Sequence, residues 1–272
     1  MPTTRTRARR AASLPLPLIP PAAIGAAFLV LPAVALLIRA PWRNLFEIYR
    51  RPEVADALRI SILTATEATV LSVLFGVPLS WVLARVRFPG RGVLRAAVMV
   101  PLVLPPVVGG VVFFLALGAK GVLGRYLDEW FGITLPFTQH GIVLVQVFVS
   151  MPFLVLTVEG AFRTADRNLE EAAATLGANR SRIFSRVTLP LILPSLAAGT
   201  VLCWARSLGE YGATQLFGGN IQGRTQTMPT LIYQQFNSNP EDAVALSLLL
   251  MLVAVVLLAS LRDKWLRPVP SA

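Results

Sequence analysis

The chain has 272 residues, 55% of them hydrophobic and only 14% charged, with a mean hydropathy of +0.65, a net charge of +11 and a pI of about 11.2. Soluble domains average about 25% charged residues, so this composition argues against a soluble globule. A basic balance would point to nucleic acid in a soluble protein, but here the arginines lie between apolar runs, as in the loops of a membrane protein.

Residues 1–17 form a short tail rich in arginine (Arg5, Arg7, Arg9, Arg10). The apolar run over residues 18–38 is entered through Pro20 and Pro21. It is longer than the core of a cleaved signal peptide and reads as a transmembrane helix. Further runs cover residues 60–84, 96–117, 141–158, 191–217 and 243–261. Each is near the roughly 17 to 25 residues that cross hydrocarbon. The expected fold class is therefore all-α, a polytopic membrane protein with about six transmembrane helices over residues 18–261 and a short tail at 262–272. No internal repeat or Gly/Ser-rich linker divides it.

Orientation follows from the arginines. With the N-terminus inside, most of the 25 Lys and Arg fall in the tail, residues 85–95, the loop holding Arg163, Arg167, Arg180, Arg182 and Arg186, and the C-terminal end. The positive-inside rule asks for this distribution and puts both termini in the cytoplasm of a cell-membrane protein. Residues 39–59 are the exception, with their arginines offset by Glu47, Glu53 and Asp56. The outer loops, residues 118–140 and 218–242, are rich in Gly, Asn, Gln and Thr and read equally as partner-facing or solvated.

Few polar residues lie inside the spans: Glu67, Gln146, Glu159, Arg206, Ser207, Glu210, Thr214 and Gln215. A charge at the bilayer centre costs about 2.5–3.5 kcal/mol, so such residues are expected to face the bundle interior and find partners. Arg206 and Glu210 stand at i, i+4 and read as an intramembrane ion pair. The surrounding SLGEYGAT stretch, with Ser207, Gly209, Glu210, Gly212 and Thr214, also reads as a pathway or gate, because its glycines permit close helix approach or a kink. Pro105 and Pro106 remove two backbone donors in mid-span. That predicts a broken helix, either beside a pathway or as a packing kink.

Residues 160–190 form a polar, basic loop between apolar runs. Leu169, Ala172, Ala173 and Leu176 share one helical face at i, i+3, i+4, i+7 spacing, and Gly177 supplies the helix stop. Ser181 reads as the N-cap of a second helix that turns Ile183, Phe184 and Val187 inward and Arg182 and Arg186 outward. Pro190 is expected to end that helix. The unit looks like a docking element at a membrane surface. A DNA-reading helix-turn-helix is the alternative, but an element tied between two spans has no way to reach a major groove.

Catalytic signatures are missing. There is no HExxH, no GxSxG and no GxxxxGK[ST] phosphate loop; Lys120 and Lys264 are the only lysines. One cysteine, Cys203, and one histidine, His140, give no metal site within one chain. An enzyme reading therefore finds little support; if the chain moves solute uphill with ATP, the ATPase is another chain, and an ion channel or secondary carrier working alone is the competing class.

Glu171, Ala172, Ala173, Gly177, Val187, Leu189 and Pro190 resemble, in identity and spacing, the EAA loop of permease subunits in binding-protein-dependent ABC importers. Val187 stands where Ile is usual. Within that superfamily, LVLPPVVGG, ARSLGEYGAT and MPTLIY followed by AVALSLLL are most similar to molybdate permeases, with sulfate permeases as close relatives. The resemblance covers residues 57–261. It implies a type I importer permease fold, a homodimer, two cytoplasmic ATPase subunits that bind the ATP, and an external oxyanion-binding protein that selects the cargo. Carried over residue by residue, Glu170, Glu171, Ala172, Ala173 and Gly177 would form the coupling helix and turn in the ATPase groove, with Val187, Leu189 and Pro190 anchoring it to the fifth span. This chain would then hold no cofactor and no metal. Molybdate, tungstate, sulfate and thiosulfate all remain open as cargo.

Overall fold

The computed structural model describes residues 16–265, so the terminal tails expected from the sequence lie mostly outside the described residues. Within that range the chain is helix and loop, without a strand. After a single 3-10 turn, α1 (Ile19–Arg39) starts on Pro20 and Pro21, where the missing N–H groups would have had no partner. None of its residues is buried, and only Ala33 and Leu36 are partly covered. A short α2 (Leu45–Tyr49) leads into α3 (Pro52–Arg85), whose first two turns precede the second apolar run.

The third run is broken where the two prolines predict. Helix α4 (Arg91–Val103) and helix α5 (Pro106–Leu117) meet at a bend of 119°. After them come α6 (Gly124–Phe131) and α7 (Gln139–Thr164), which starts with Thr138 accepting from the amide of Gly141. Across the bend, α4 and α5 touch α7 at two levels. Arg95 of α4 pairs with Glu159 near the C-terminal end of α7. Phe113 of α5 packs edge-on against Phe148 in its N-terminal half.

The polar loop contains α8 (Arg167–Thr175) and a four-residue α9 (Arg180–Ile183). A π segment, Phe184–Thr188, joins α9 to α10 (Leu189–Leu208). The chain ends with α11 (Gly212–Phe217), α12 (Met228–Ser238) and α13 (Pro240–Trp265).

Helix α7 is the centre of the bundle, packed between α3 and α10. Leu154, fully buried, sits between two glycines: a Cβ on Gly76 of α3 would lie 3.1 Å from its Cδ2, and one on Gly199 of α10 3.2 Å from its Cδ1. Ser80 ties α3 to α7 by donating to the carbonyls of Gly76 and Val155. A second core joins α2, α3, α12 and α13 through Ile48, Val54, Met228 and Leu246. Polar links hold its edge. The amide of Met228 donates to Ser61 Oγ at 2.7 Å, and the Tyr49 hydroxyl donates to the carbonyl of Ala245 at 2.8 Å. Burial pushes the Tyr49 phenol up, keeping it a donor. Arg51 bonds Asp242 at 2.5 Å, and that bond raises its already high pKa.

Four expectations need correction. Pro190 does not end a helix: residues from Arg180 to Leu208 form one continuous rod of 29 residues. The π segment explains this, because the amide of Leu189 reaches back to Phe184, so the ladder has already been shifted when the donor missing at Pro190 arrives. The fifth span stops at Leu208 instead of running to Phe217, since Gly209–Tyr211 breaks it and α11 starts afresh. The second outer loop is largely structured, with Thr225, Thr227 and Met228 fully buried. Glu67 faces outward from this chain, unlike Gln146, Glu159 and Glu210.

The two glycine contacts on Leu154 give a paired expectation. Gly199→Val is expected to destabilise the protein by about 1–3 kcal/mol through overpacking against Leu154 and Thr157. Gly160→Ala, on the same bundle with nothing within 4 Å, is expected to be neutral or stabilising by up to about 1 kcal/mol. Thermal unfolding in detergent micelles measures both.

Candidate functional site

Two regions collect the residues singled out from the sequence, one at each end of α10. At the loop end, Asp166 caps α8 by accepting from the amide of Asn168. Gly177 terminates α8 with φ of +80°, and the amides of Gly177 and Ala178 close on the carbonyls of Ala174 and Ala173 at 3.0 and 3.1 Å. These two bonds form a complete Schellman turn, which glycine enters without the Cβ penalty. The small apolar face of α8 is largely uncovered: Leu169 and Leu176 are 47% and 88% exposed, Ala172 is exposed beside them, and Ala173 is half-buried. Asn179, not Ser181, caps the following helix by accepting from the amide of Arg182. Phe184 is exposed instead of turned inward, while Arg182 and Arg186 point outward.

The neighbouring glutamates divide. Glu171 is exposed. Glu170 turns inward, where its Oε1 accepts from Arg85 of α3 at 3.0 Å and from Thr188 of the π segment at 2.9 Å. Val187 and Leu189 are half-buried, Leu189 against the core around Ile192, and Pro190 is exposed. Between α3 and the loop opens a cleft of about 740 Å3, lined by Val77 and Trp81 on one wall and Ala174 and Phe184 on the other.

At the far end of α10 the two broken spans meet at their breaks. Pro105 and Pro106 start α5, Gly212 starts α11, and a Cβ on Gly212 would lie 2.9 Å from Cβ of Pro106. One turn on, a Cβ at Gly110 would lie 2.8 Å from Leu216. Side chains larger than hydrogen do not fit this crossing. Phe113, Phe114 and Phe217 close it with edge-on ring contacts. Glu210 is buried and bonds Arg206 at 2.7 Å, while its other oxygen accepts from the amide of Ala213 at 2.9 Å. The same carboxylate thus neutralises an intramembrane arginine and satisfies a free amide of α11. Ser207 donates to Ser150 of α7 at 2.9 Å, and Ser150 donates to the carbonyl of Gln146 at 2.6 Å. Thr214 Oγ1 and Gln146 Oε1 are buried without a hydrogen-bond partner among the described residues. Gly209 is exposed at the break.

Comparison with known proteins places this geometry. The family described as "Binding-protein-dependent transport system inner membrane component" matches residues 76–269. The chain belongs to this permease family. Molybdenum transport system permease protein ModB of Mycobacterium tuberculosis is 49% identical over 238 residues, covering 87% of this chain and 89% of that protein. ModB of Escherichia coli K12 is 40% identical, covering 78% and 92%. The sulfate transport system permease protein CysT of the same organism is 36% identical, covering 86% and 83%. Among solved structures, a bacterial alginate ABC transporter in complex with alginate pentasaccharide-bound periplasmic protein superposes with a TM-score of 0.72 at 18% identity, covering 93% of this chain and 94% of that one. The MetNI methionine ABC transporter in an inward-facing form gives 0.56 at 17%, covering 86% and 96%. The fold is that of an ABC importer permease, a multi-pass inner-membrane transport component and not an enzyme.

Sequence reading did not single out Arg85 or Thr188 in this permease, although both bond Glu170. Arg85 stood in the basic run, but its partner is 85 residues away and no local spacing points to it. Thr188 belongs to the VTLP stretch, and only the π turn brings its hydroxyl to Glu170. Ser150, which links α7 to α10, sits in an unremarkable apolar run.

Removal of one member of the buried pair has a directed outcome. Arg206→Ala leaves the Glu210 carboxylate, 1% exposed, with the Ala213 amide alone. A loss of about 2–3 kcal/mol is expected, below the 3–5 typical of fully buried pairs because the Arg206 side chain is 29% exposed. The double change Arg206→Ala with Glu210→Ala is expected to return part of that loss. Melting temperatures of the three proteins in one detergent provide the check.

Proposed function

We propose that this chain is the permease subunit of an ATP-driven importer for a tetrahedral oxyanion, molybdate, acting as a homodimer with a separate cytoplasmic ATPase and an external binding protein. Both termini lie in the cytoplasm, with the basic α8–α9 loop on the ATP side. The observation that carries the coupling role is the uncovered apolar face of α8. A short helix with Leu169 and Leu176 exposed, capped at each end and joined through the Gly177 turn to α9, where the 29-residue rod begins, is built to seat in a partner. The molybdate reading is supported by relatives named for molybdenum transport at 40% and 49% identity. Sulfate is the second reading, favoured by relatives at 35% and 36%.

A bare oxyanion cannot cross hydrocarbon, because desolvating an isolated charge costs on the order of tens of kcal/mol. Two copies would enclose a watered path, and closure of the ATPase dimer would draw the two α8 helices together and switch access through the attached spans. Selection rests with the binding protein. The path itself binds weakly, so that the anion can leave. Glu210 would repel an anion, and its pairing with Arg206 removes that charge from the path.

Proteoliposomes holding the permease, its ATPase and its binding protein are expected to take up labelled molybdate only with ATP, with excess sulfate leaving uptake unchanged. Sulfate uptake in preference to molybdate overturns the cargo. Gly177→Val forces a β-branched residue into the left-handed region at a cost of about 1–2 kcal/mol. It is expected to abolish stimulation of the ATPase, whereas Gly177→Asn keeps it. If the valine variant assembles and couples normally, the docking role of α8 is wrong.

A further inference from the structure

We propose that Arg85 and Thr188 are positioning residues of the coupling step, forming with Glu170 a three-way latch that makes α3 and the base of α10 move with α8. The inference rests on the transporter reading above. A single oxygen, Glu170 Oε1, accepts both bonds, from Arg85 at 3.0 Å and from Thr188 at 2.9 Å. One atom of the coupling helix therefore joins the C-terminal turn of α3 to the last residue of the π segment.

Three observations make this latch the directed link between α8 and α3. First, the cleft of about 740 Å3 lies between α3 and the loop, so apolar packing does not duplicate the connection there. Helix α8 instead packs on α9 and the π segment. Second, the Arg85 side chain is only 9% exposed, and its Nε has no hydrogen-bond partner among the described residues. A guanidinium withdrawn from water in this way is held for the bond that it does make. Third, the other carboxylate near this end, Glu159, is already engaged by Arg95 and Arg163, so it does not compete for Arg85. Glu171 remains exposed beside the latch, which leaves the outward face of α8 to a partner. Apolar surfaces slide over one another, whereas charge-assisted hydrogen bonds fix direction. A push on α8 therefore reaches α3 and α10 together.

The complete complex, with ATPase and loaded binding protein in proteoliposomes, tests the latch through molybdate transported per ATP hydrolysed. Arg85→Gln is expected to assemble and to hydrolyse ATP, but to transport about tenfold less per ATP, the loss that one charge-assisted bond represents. Thr188→Val is expected to lose less. The exchange of Arg85→Glu with Glu170→Arg is expected to restore much of the ratio, which a purely structural role would not require. An unchanged ratio in Arg85→Gln overturns the latch, as does loss of assembly that the exchange fails to restore. If the unaltered complex shows no ATP-dependent uptake, the transporter reading falls and the latch falls with it. If the unaltered complex transports and Arg85→Gln keeps its ratio, the latch alone is wrong.

Discussion

Burying an apolar side chain in a bilayer gains little, since lipid tails are as apolar as the protein. The fold therefore depends on how closely α3, α7 and α10 approach one another. Leu154 shows how the sequence meets this constraint. It lies between Gly76 and Gly199, each close enough that a Cβ would press on it. Dispersion contacts then accumulate on both sides of one side chain, and Ser80 and Ser150 add hydrogen bonds along the same seams. The remaining elements are attached to this three-helix plate. Helix α1, with no buried residue, contributes almost nothing to the core of a single chain.

Charge is handled with the same economy. Glu159, Glu170 and Glu210 each accept from more than one partner, and each stands near a discontinuity: the end of α7, the turn into the loop, and the break after α10. Helix ends and breaks leave backbone amides or bent chain that hydrocarbon does not tolerate unsatisfied. Glu159 and Glu170 bond only side chains, whereas Glu210 solves two problems together, because the group that neutralises Arg206 also caps α11. The two broken spans meet at their breaks, with Gly212 against Pro106, while Pro105 and Gly209 stay exposed on the single chain.

Much of this was legible in the sequence, because apolar length and proline position act locally. Runs of about twenty apolar residues gave the spans, Pro105 and Pro106 gave the broken third one, and Gly177 gave the helix stop at a positive φ. Other features failed for a physical reason. Pro190 reads as a terminator only if the ladder before it is α-helical, and the π segment removes that premise. Asn179 outranks Ser181 as a cap because the Schellman turn at Gly177 returns the chain to helix two residues earlier. The break at Gly209 carries no proline signal, and the partners of Glu170 lie on other elements. Contacts of that kind depend on how the helices are arranged, which no window of residues contains.

The continuous rod from Arg180 to Leu208 gives the arrangement its mechanical consequence. It is held against α7 along its length and not at one pivot: Gly199 lies beside Leu154, and Cys203 and Ser207 both reach Ser150. One end carries Thr188 and, through Glu170, helix α8. The other carries Glu210 and, through the Ala213 amide, the start of α11 where it crosses Pro106. The loop and the crossing of the two broken spans are thus joined by one continuous helix, with a buried or half-buried carboxylate bonded at each end of it.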